Sequence, residues 1–236
     1  MILNPKHQEI YLILLRQPHH GGINPIKRIK FLCVKIICIG RNYLEHAREL
    51  NNPPPVVPIF FLKHEGCLVR HNRPFVLPDF SNEIHYEVEL VVRINRQGEK
   101  IDRASAARYY REVGLGIDFT ARDLQRKARE EGLPWEPAKA FDDSAPVSRF
   151  LPLKQFGDIQ NLQFYLDING KTVQKGNSKD MIFPVDELIS FVSRYITIKT
   201  GDLIFTGTPE GVGPVRTGDH LEAYLEGRKM LDFYIR

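Results

Sequence analysis

The sequence is poor in cysteine. It has three, Cys33, Cys38 and Cys67, an odd number with no C-x-x-C spacing. That argues against a disulfide framework and a thiolate zinc site, and for a reducing, cytoplasmic compartment. It also lacks any apolar run near the ~20 residues that span a bilayer, so no membrane association is expected. The longest N-terminal candidate, "IYLILL" at 10–15, is too short for a signal-peptide core, and no small-residue cleavage site follows it. Internal repeats and low-complexity blocks are missing.

Net charge is small once its position is considered. Residues 1–35 hold six Lys/Arg and one Glu, so the overall +4 leaves the rest of the chain at −1. A nearly neutral body excludes a nucleic-acid surface of the usual basic kind. Residues 1–34 read as a loosely attached extension, and 35–236 as a single catalytic domain. Its length and its 42% hydrophobic content suit one packed core.

"KIICIG" (35–40) and "IFFLK" (59–63) read as buried strands. Between them "RNYLEHAREL" (41–50) has helical character, with Asn42 expected as its N-cap and Glu45 as the return partner. "NNPPPVVP" (51–58) ends that helix in a stiff exposed loop. "TARDLQRKAREEG" reads as a helix capped by Thr120 and stopped by Gly132, and "FPVDELISFVSRYI" (183–196) as an amphipathic helix with Leu188, Phe191, Val192 and Tyr195 inward. Strand-length runs fill most of the remainder. The expectation is an α+β domain, mostly β, around a curled mixed sheet.

Four stretches carry reactive groups. In "IHYEVEL" (84–90) alternation puts His85, Glu87 and Glu89 on one face and apolar residues on the other. Most such faces are simply solvated. Asp118, between Ile117 and Phe119, is different, because a carboxylate buried without a partner costs several kcal/mol. Three carboxylates are hard oxygen donors suited to Mg2+, Mn2+ or Ca2+. His46 and Glu49, at i and i+3 on a helix, form a pair in which the carboxylate can orient the imidazole as a base. Lys139 in "PAKAFDD" can steady a developing negative charge. "TGTPEGVGP" (206–214) lacks the Lys-Ser/Thr end of a phosphate loop, yet its backbone N–H groups can hold a carboxylate.

Taken together, "IGRNYLEHARE", "IFFLK", "HYEVELVV", "GLGIDFTARDLQ", "GLPWEPAKAFDDSAPVS", "MIF" and "GDLIFTGTPEGVGPV" resemble the fumarylacetoacetate hydrolase superfamily, in its small branch of acylpyruvate hydrolases and oxaloacetate decarboxylases. The motifs run in family order from about residue 35 onward. The resemblance implies a mixed β-sandwich roll with a few short helices, usually a homodimer. It implies Mg2+, or Mn2+, on Glu87, Glu89 and Asp118, a catalytic dyad of His46 and Glu49 with Lys139 assisting, and substrate contacts from Arg122, Gln125 and Thr208. The chemistry it implies is C–C cleavage of a 2-oxo acid through an enolate of pyruvate. The alternative is a hydratase or isomerase of 2-oxo dienoic or diacid compounds. A non-catalytic binding module leaves the dyad and the three carboxylates unexplained. The sequence departs from the family pattern at "KHEG" (63–66), at Tyr86 where His is common, and in proline-rich 53–58.

Overall fold

The computed structural model describes residues 35–50 and 53–236. The proposed extension at 1–34 therefore lies outside the described residues. In chain order the strands are β1 (Ile36–Gly40), β2 (Ile59–Lys63), β3 (Leu68–Val69), β4 (Ile84–Tyr86), β5 (Val88–Ile94), β6 (Tyr110–Ile117), β7 (Thr120–Ala121), β8 (Ala145–Pro146), β9 (Leu151–Pro152) and β10 (Gln163–Ile168). They continue with β11 (Lys171–Asn177), β12 (Leu203–Phe205), β13 (Gly213–Pro214), β14 (His220–Leu225) and β15 (Arg228–Tyr234). Among the described residues four short α-helices interrupt them: α1 (Leu44–Glu49), α2 (Arg122–Glu131), α3 (Glu136–Lys139) and α4 (Val185–Val192).

The largest sheet has the order β2-β1-β12-β5-β6-β9, with β1 parallel to β12 and the other pairs antiparallel. A second sheet, β11-β10-β14-β15, is wholly antiparallel. The small sheet β13-β4-β7 and the β3–β8 pair complete the mostly-β architecture expected. The main sheet is covered on both faces. Ile37, Ile39, Leu90, Val92 and Ile204 join the larger core cluster, while Ile36, Cys38, Val91 and Phe205 join a smaller one on the other side. This is why "KIICI" and "LIF" are continuous apolar runs rather than alternating ones. Cys38 is fully buried, as its setting implied.

Pairing directions bring several chain ends together. β1, β12 and β6 all finish, and β5 starts, at the same end of the main sheet. The residues just past those ends therefore converge, although Asn42, Glu87, Asp118 and Thr206 are far apart in sequence.

Three local expectations are corrected. Asn42 does not cap α1, whose N-cap is Tyr43 with no side-chain hydrogen bond. Instead Asn42 Nδ2 donates to the carbonyls of Phe183 (3.1 Å) and Thr206 (2.8 Å), and its Oδ1 accepts from Phe183 N (2.8 Å). A buried amide satisfied at three points ties the end of β1 to two distant segments, which outweighs a single cap bond. Thr120 does not cap α2 either. It lies in β7, and its hydroxyl donates to the Asp118 carbonyl. Helix α4 is shorter than 183–196, and Tyr195 is 64% exposed, stacked at an angle on Phe60 and Phe191 rather than inserted in the core. Gly132 does stop α2, in the left-handed conformation.

Candidate active site

Most of the buried ionisable side chains among the described residues gather in one place. His46, Glu87, Glu89, Asp118, Arg122, Gln125, Lys139 and Thr208 are all under 9% exposed, and all line one narrow cleft with a volume of ≈ 40 Å³. Ile39, Leu50, Phe61 and Trp135 supply its apolar wall. A concentration of buried ionisable groups in a concave site is the usual mark of chemistry.

Glu87, Glu89 and Asp118 each place a carboxylate oxygen within 4.8 Å of the other two. Glu89 comes from β5, on the Val91 face. Glu87 sits in the break between β4 and β5, and its carbonyl accepts from Asp118 N (2.8 Å), which locks the two stretches side by side. Lys139 Nζ stands between Glu87 Oε2 and Asp118 Oδ2, 2.8 Å from each. Arg122 donates to Glu87 Oε1 (2.5 Å) and to Gln125 Oε1 (2.6 Å).

The charges are unevenly shared. Burial alone would raise the Glu87 carboxyl, but Lys139 and then Arg122 reverse that and hold it far below the usual carboxylate range. Burial would also lower the Lys139 ammonium, yet Asp118 and Glu87 raise it. Glu89 has neither cation. Its one hydrogen bond comes from Gly207 N (2.7 Å), and burial, then Asp118 and Glu87, push its carboxyl well up. The Asp118 Oδ1 atom is buried and receives no hydrogen bond. Lys63 Nζ pairs with it at 2.7 Å while donating to Phe119 O, Ser144 O and Ser144 Oγ. A divalent cation suits this set: three hard oxygen donors, one of which, the Glu89 carboxylate, has no ion-pair partner.

The dyad also assembles. His46 Nδ1 is 3.1 Å from Glu49 Oε2, and Glu49 Oε1 accepts from Gly211 N (3.0 Å). Burial opposes ionisation of Glu49, but the His46 bond and the Gly211 N–H outweigh it and hold its carboxyl below the usual range. An ionised Glu49 only accepts, so in the neutral ring Nδ1 carries the proton and Nε2 is the nitrogen able to accept one.

The 206–213 loop does hold carboxylates, though both belong to the protein: Glu89 at Gly207 and Glu49 at Gly211. Both glycines have positive φ, 99° and 93°, and a Cβ there would lie 2.7 Å from Asn42 Cβ and 2.4 Å from Val173 O. Thr208 lines the cleft, but its hydroxyl donates to Val88 O and accepts from Gln174 Nε2, both at 2.9 Å. Gln125 lines the cleft and its side-chain carbonyl accepts from Arg122. Tyr86 packs in the larger core cluster with Ile84 and Val88, on the face away from the carboxylates.

Sequence reasoning assigned no role to Lys63, His85 or Gln174. Lys63 is 1% exposed and binds Ser144, 81 residues away, so only tertiary pairing reveals it. His85 bridges Glu83 (3.0 Å) and Arg122 Nε (3.5 Å). Gln174 pins the start of β5 by accepting from Val88 N at 2.9 Å.

Residues 35–233 match the family model "Fumarylacetoacetate (FAA) hydrolase C-terminal". The chain belongs to the fumarylacetoacetate hydrolase family, and so to a family of enzymes. Oxaloacetate tautomerase FAHD1 of Mus musculus is 38% identical over 216 residues, covering 92% of this chain and 98% of the relative. The mitochondrial oxaloacetate decarboxylase of Dictyostelium discoideum is 41% identical over 194 residues, covering 82% and 89%. Among solved structures, fumarylpyruvate hydrolase from Pseudomonas aeruginosa in complex with Mn2+ and pyruvate aligns with a TM-score of 0.82 at 36% identity, covering 86% of this chain and 89% of that one.

Proposed function

We propose that this chain is a divalent-metal enzyme that forms and quenches the enolate of a short 2-oxo acid, with oxaloacetate as its principal substrate. The observation that carries the reading is the oriented base, His46 on Glu49, sharing one cleft with the three carboxylates and Lys139. The names of the relatives support it, since two act on oxaloacetate and a third structure holds pyruvate beside Mn2+. Residues 35–236 form the catalytic unit, and the active species is a homodimer, which light scattering at twice the chain mass would test.

Glu87, Glu89 and Asp118 would hold Mg2+ or Mn2+, which when bound supplies Lewis acidity to the keto oxygen of a 2-oxo acid. The chain's own groups do the rest. His46 Nε2 takes a proton from C3, Glu49 stabilises the imidazolium, and Lys139 with Arg122 offsets the enolate charge. Protonation of the enolate at oxygen instead of C3 completes keto-to-enol conversion, and the reverse path, loss of the enol O–H proton and delivery of a proton to C3 from His46, returns the keto form. In decarboxylation the C3–C4 electron pair stays on C3 as CO2 leaves, and His46 later supplies the proton. A second reading is favoured by the bound pyruvate of the Pseudomonas relative: with a 2,4-dioxo acid, His46 draws the proton from a water that attacks C4, and C3–C4 breaks.

The test is turnover of enol-oxaloacetate, oxaloacetate and acetylpyruvate with and without Mg2+, with solvent deuterium incorporation at C3. Metal-dependent loss of the enol absorbance with deuterium at C3 is expected. Full metal-dependent activity in Glu89→Gln would sink the assignment.

A further inference from the structure

Two arginines of the cleft have no part in the chemistry described above. Arg41 and Arg129 both line it, together with Arg122, Gln125 and Lys139. Arg41 directly follows β1 and has φ 59°, a left-handed conformation that a residue other than glycine adopts only when its surroundings impose it. That conformation sits at the sheet end where the site is built, and the side chain is half-buried rather than extended into solvent. Arg129 comes from α2. Its positions relative to Gln125 (i+4) and Arg122 (i+7) place all three on one helical face, a ladder from the buried floor at Arg122 to the exposed end at Arg129.

The two guanidinium groups are close enough to feel each other. Burial, and after it the charge of Arg129, lowers the Arg41 guanidinium from its ordinary value. Two such groups on one cleft favour an anion between them, and a guanidinium is the side chain best matched to a carboxylate. The floor of the cleft accounts for one end of a 2-oxo acid. The mouth has the chemistry for a second, negatively charged end.

We propose that Arg41 and Arg129 bind the distal carboxylate of the substrate, so that the enzyme selects 2-oxo diacids over 2-oxo acids with an uncharged tail. This rests on the 2-oxo acid reading of the floor. It has a structural rival within the same cleft, because Leu50, Phe61 and Trp135 offer an apolar wall suited to an uncharged acyl chain.

A matched pair of ligands separates the two. 2-Oxoglutarate and 2-oxopentanoate have the same carbon count and differ only in the distal carboxylate. Calorimetry with the full chain in saturating Mg2+ should show the diacid binding about 10-fold or more tighter, the range set by a charge-assisted bidentate contact. Arg129→Gln, at an exposed helix position, should cut that ratio several-fold, and Arg41→Gln with Arg129→Gln should bring it near one. Raising salt should lower diacid affinity more steeply than monoacid affinity in the parent only. A parent that binds both ligands equally, or variants in which both affinities fall together, would overturn the clamp while leaving the floor intact. Failure of both ligands to bind in Mg2+ would overturn the 2-oxo acid reading itself, and this inference with it.

Discussion

At the scale of single residues, Glu89 is the most informative position. It is 1% exposed, lacks a cationic partner, and its carboxyl is pushed up by burial and by Asp118 and Glu87. An acid whose folded pKa lies above its unfolded one stabilises the fold below the unfolded pKa, about 4.3, and loses that stability as pH climbs. Glu89→Gln should therefore raise the melting temperature of the metal-free protein, and the gap should widen as pH rises above that value. Saturating Mg2+ should reverse the order. At 100 times its Kd the ion adds about 2.7 kcal/mol to the parent, about 5–10 °C for a domain of this size, and nothing comparable to the variant. Thermal scans over a pH series with and without Mg2+ read both effects. His46→Asn separates base from metal: kcat should fall about 10²–10⁴-fold with the Mg2+-induced melting shift unchanged. A matching loss of that shift would make His46 structural rather than a base.

Elements explain which of these residues could be read in advance. Strand alternation through 84–90 and the apolar flanks of Asp118 are local, so each carboxylate could be singled out, as could the i, i+3 pair on α1; that Asp118 joins Glu87 and Glu89 came only from the family resemblance, because no spacing encodes it. Lys63 was not legible. A lysine at a strand end usually faces water, and its buried partners lie 56 and 81 residues away. Asn42 and Thr120 misled for a related reason: each has a plausible capping role nearby and a stronger tertiary one further off. Helix α4 was overextended because amphipathic spacing continues into Tyr195 although the backbone does not. The Asn42 bridge invites a direct test. Asn42→Ala leaves the Phe183 and Thr206 groups unpaired in the interior, at about 1–3 kcal/mol each, and should lower the melting temperature by several degrees. Gly211→Ala should lower the melting temperature and, in the protein that folds, also lower activity. The added Cβ meets Val173 O at 2.4 Å, so the loop must shift and the N–H that holds Glu49 moves with it. A fall in kcat with KM little changed is the expected split; the reverse would mean that the loop serves binding.

For the whole molecule, sequence and structure agree on a mostly-β domain, and the family match over 35–233 accounts for nearly all of what is described. The sheet order was not legible, because β1 pairs in parallel with β12 across more than 160 residues and no local pattern encodes that. Among the described residues no helix is long and apolar enough to cross a membrane. If 35–236 is the catalytic unit, a chain lacking 1–34 should keep kcat/KM for oxaloacetate within about twofold of the full protein, a change worth under about 0.5 kcal/mol. A large loss, measured at equal folded concentration, would assign the N-terminal residues a part in the site.

The stretch from Gly207 to Gly211 serves two masters. One of its N–H groups fixes the Glu89 carboxylate and another fixes the Glu49 carboxylate that holds His46. The spacing between the acidic cluster and the histidine pair is thus set by five residues of one loop, like two jaws on a single gauge. A sequence change there cannot retune one jaw alone, so variation that alters substrate preference is to be looked for at the mouth of the cleft and not in this loop.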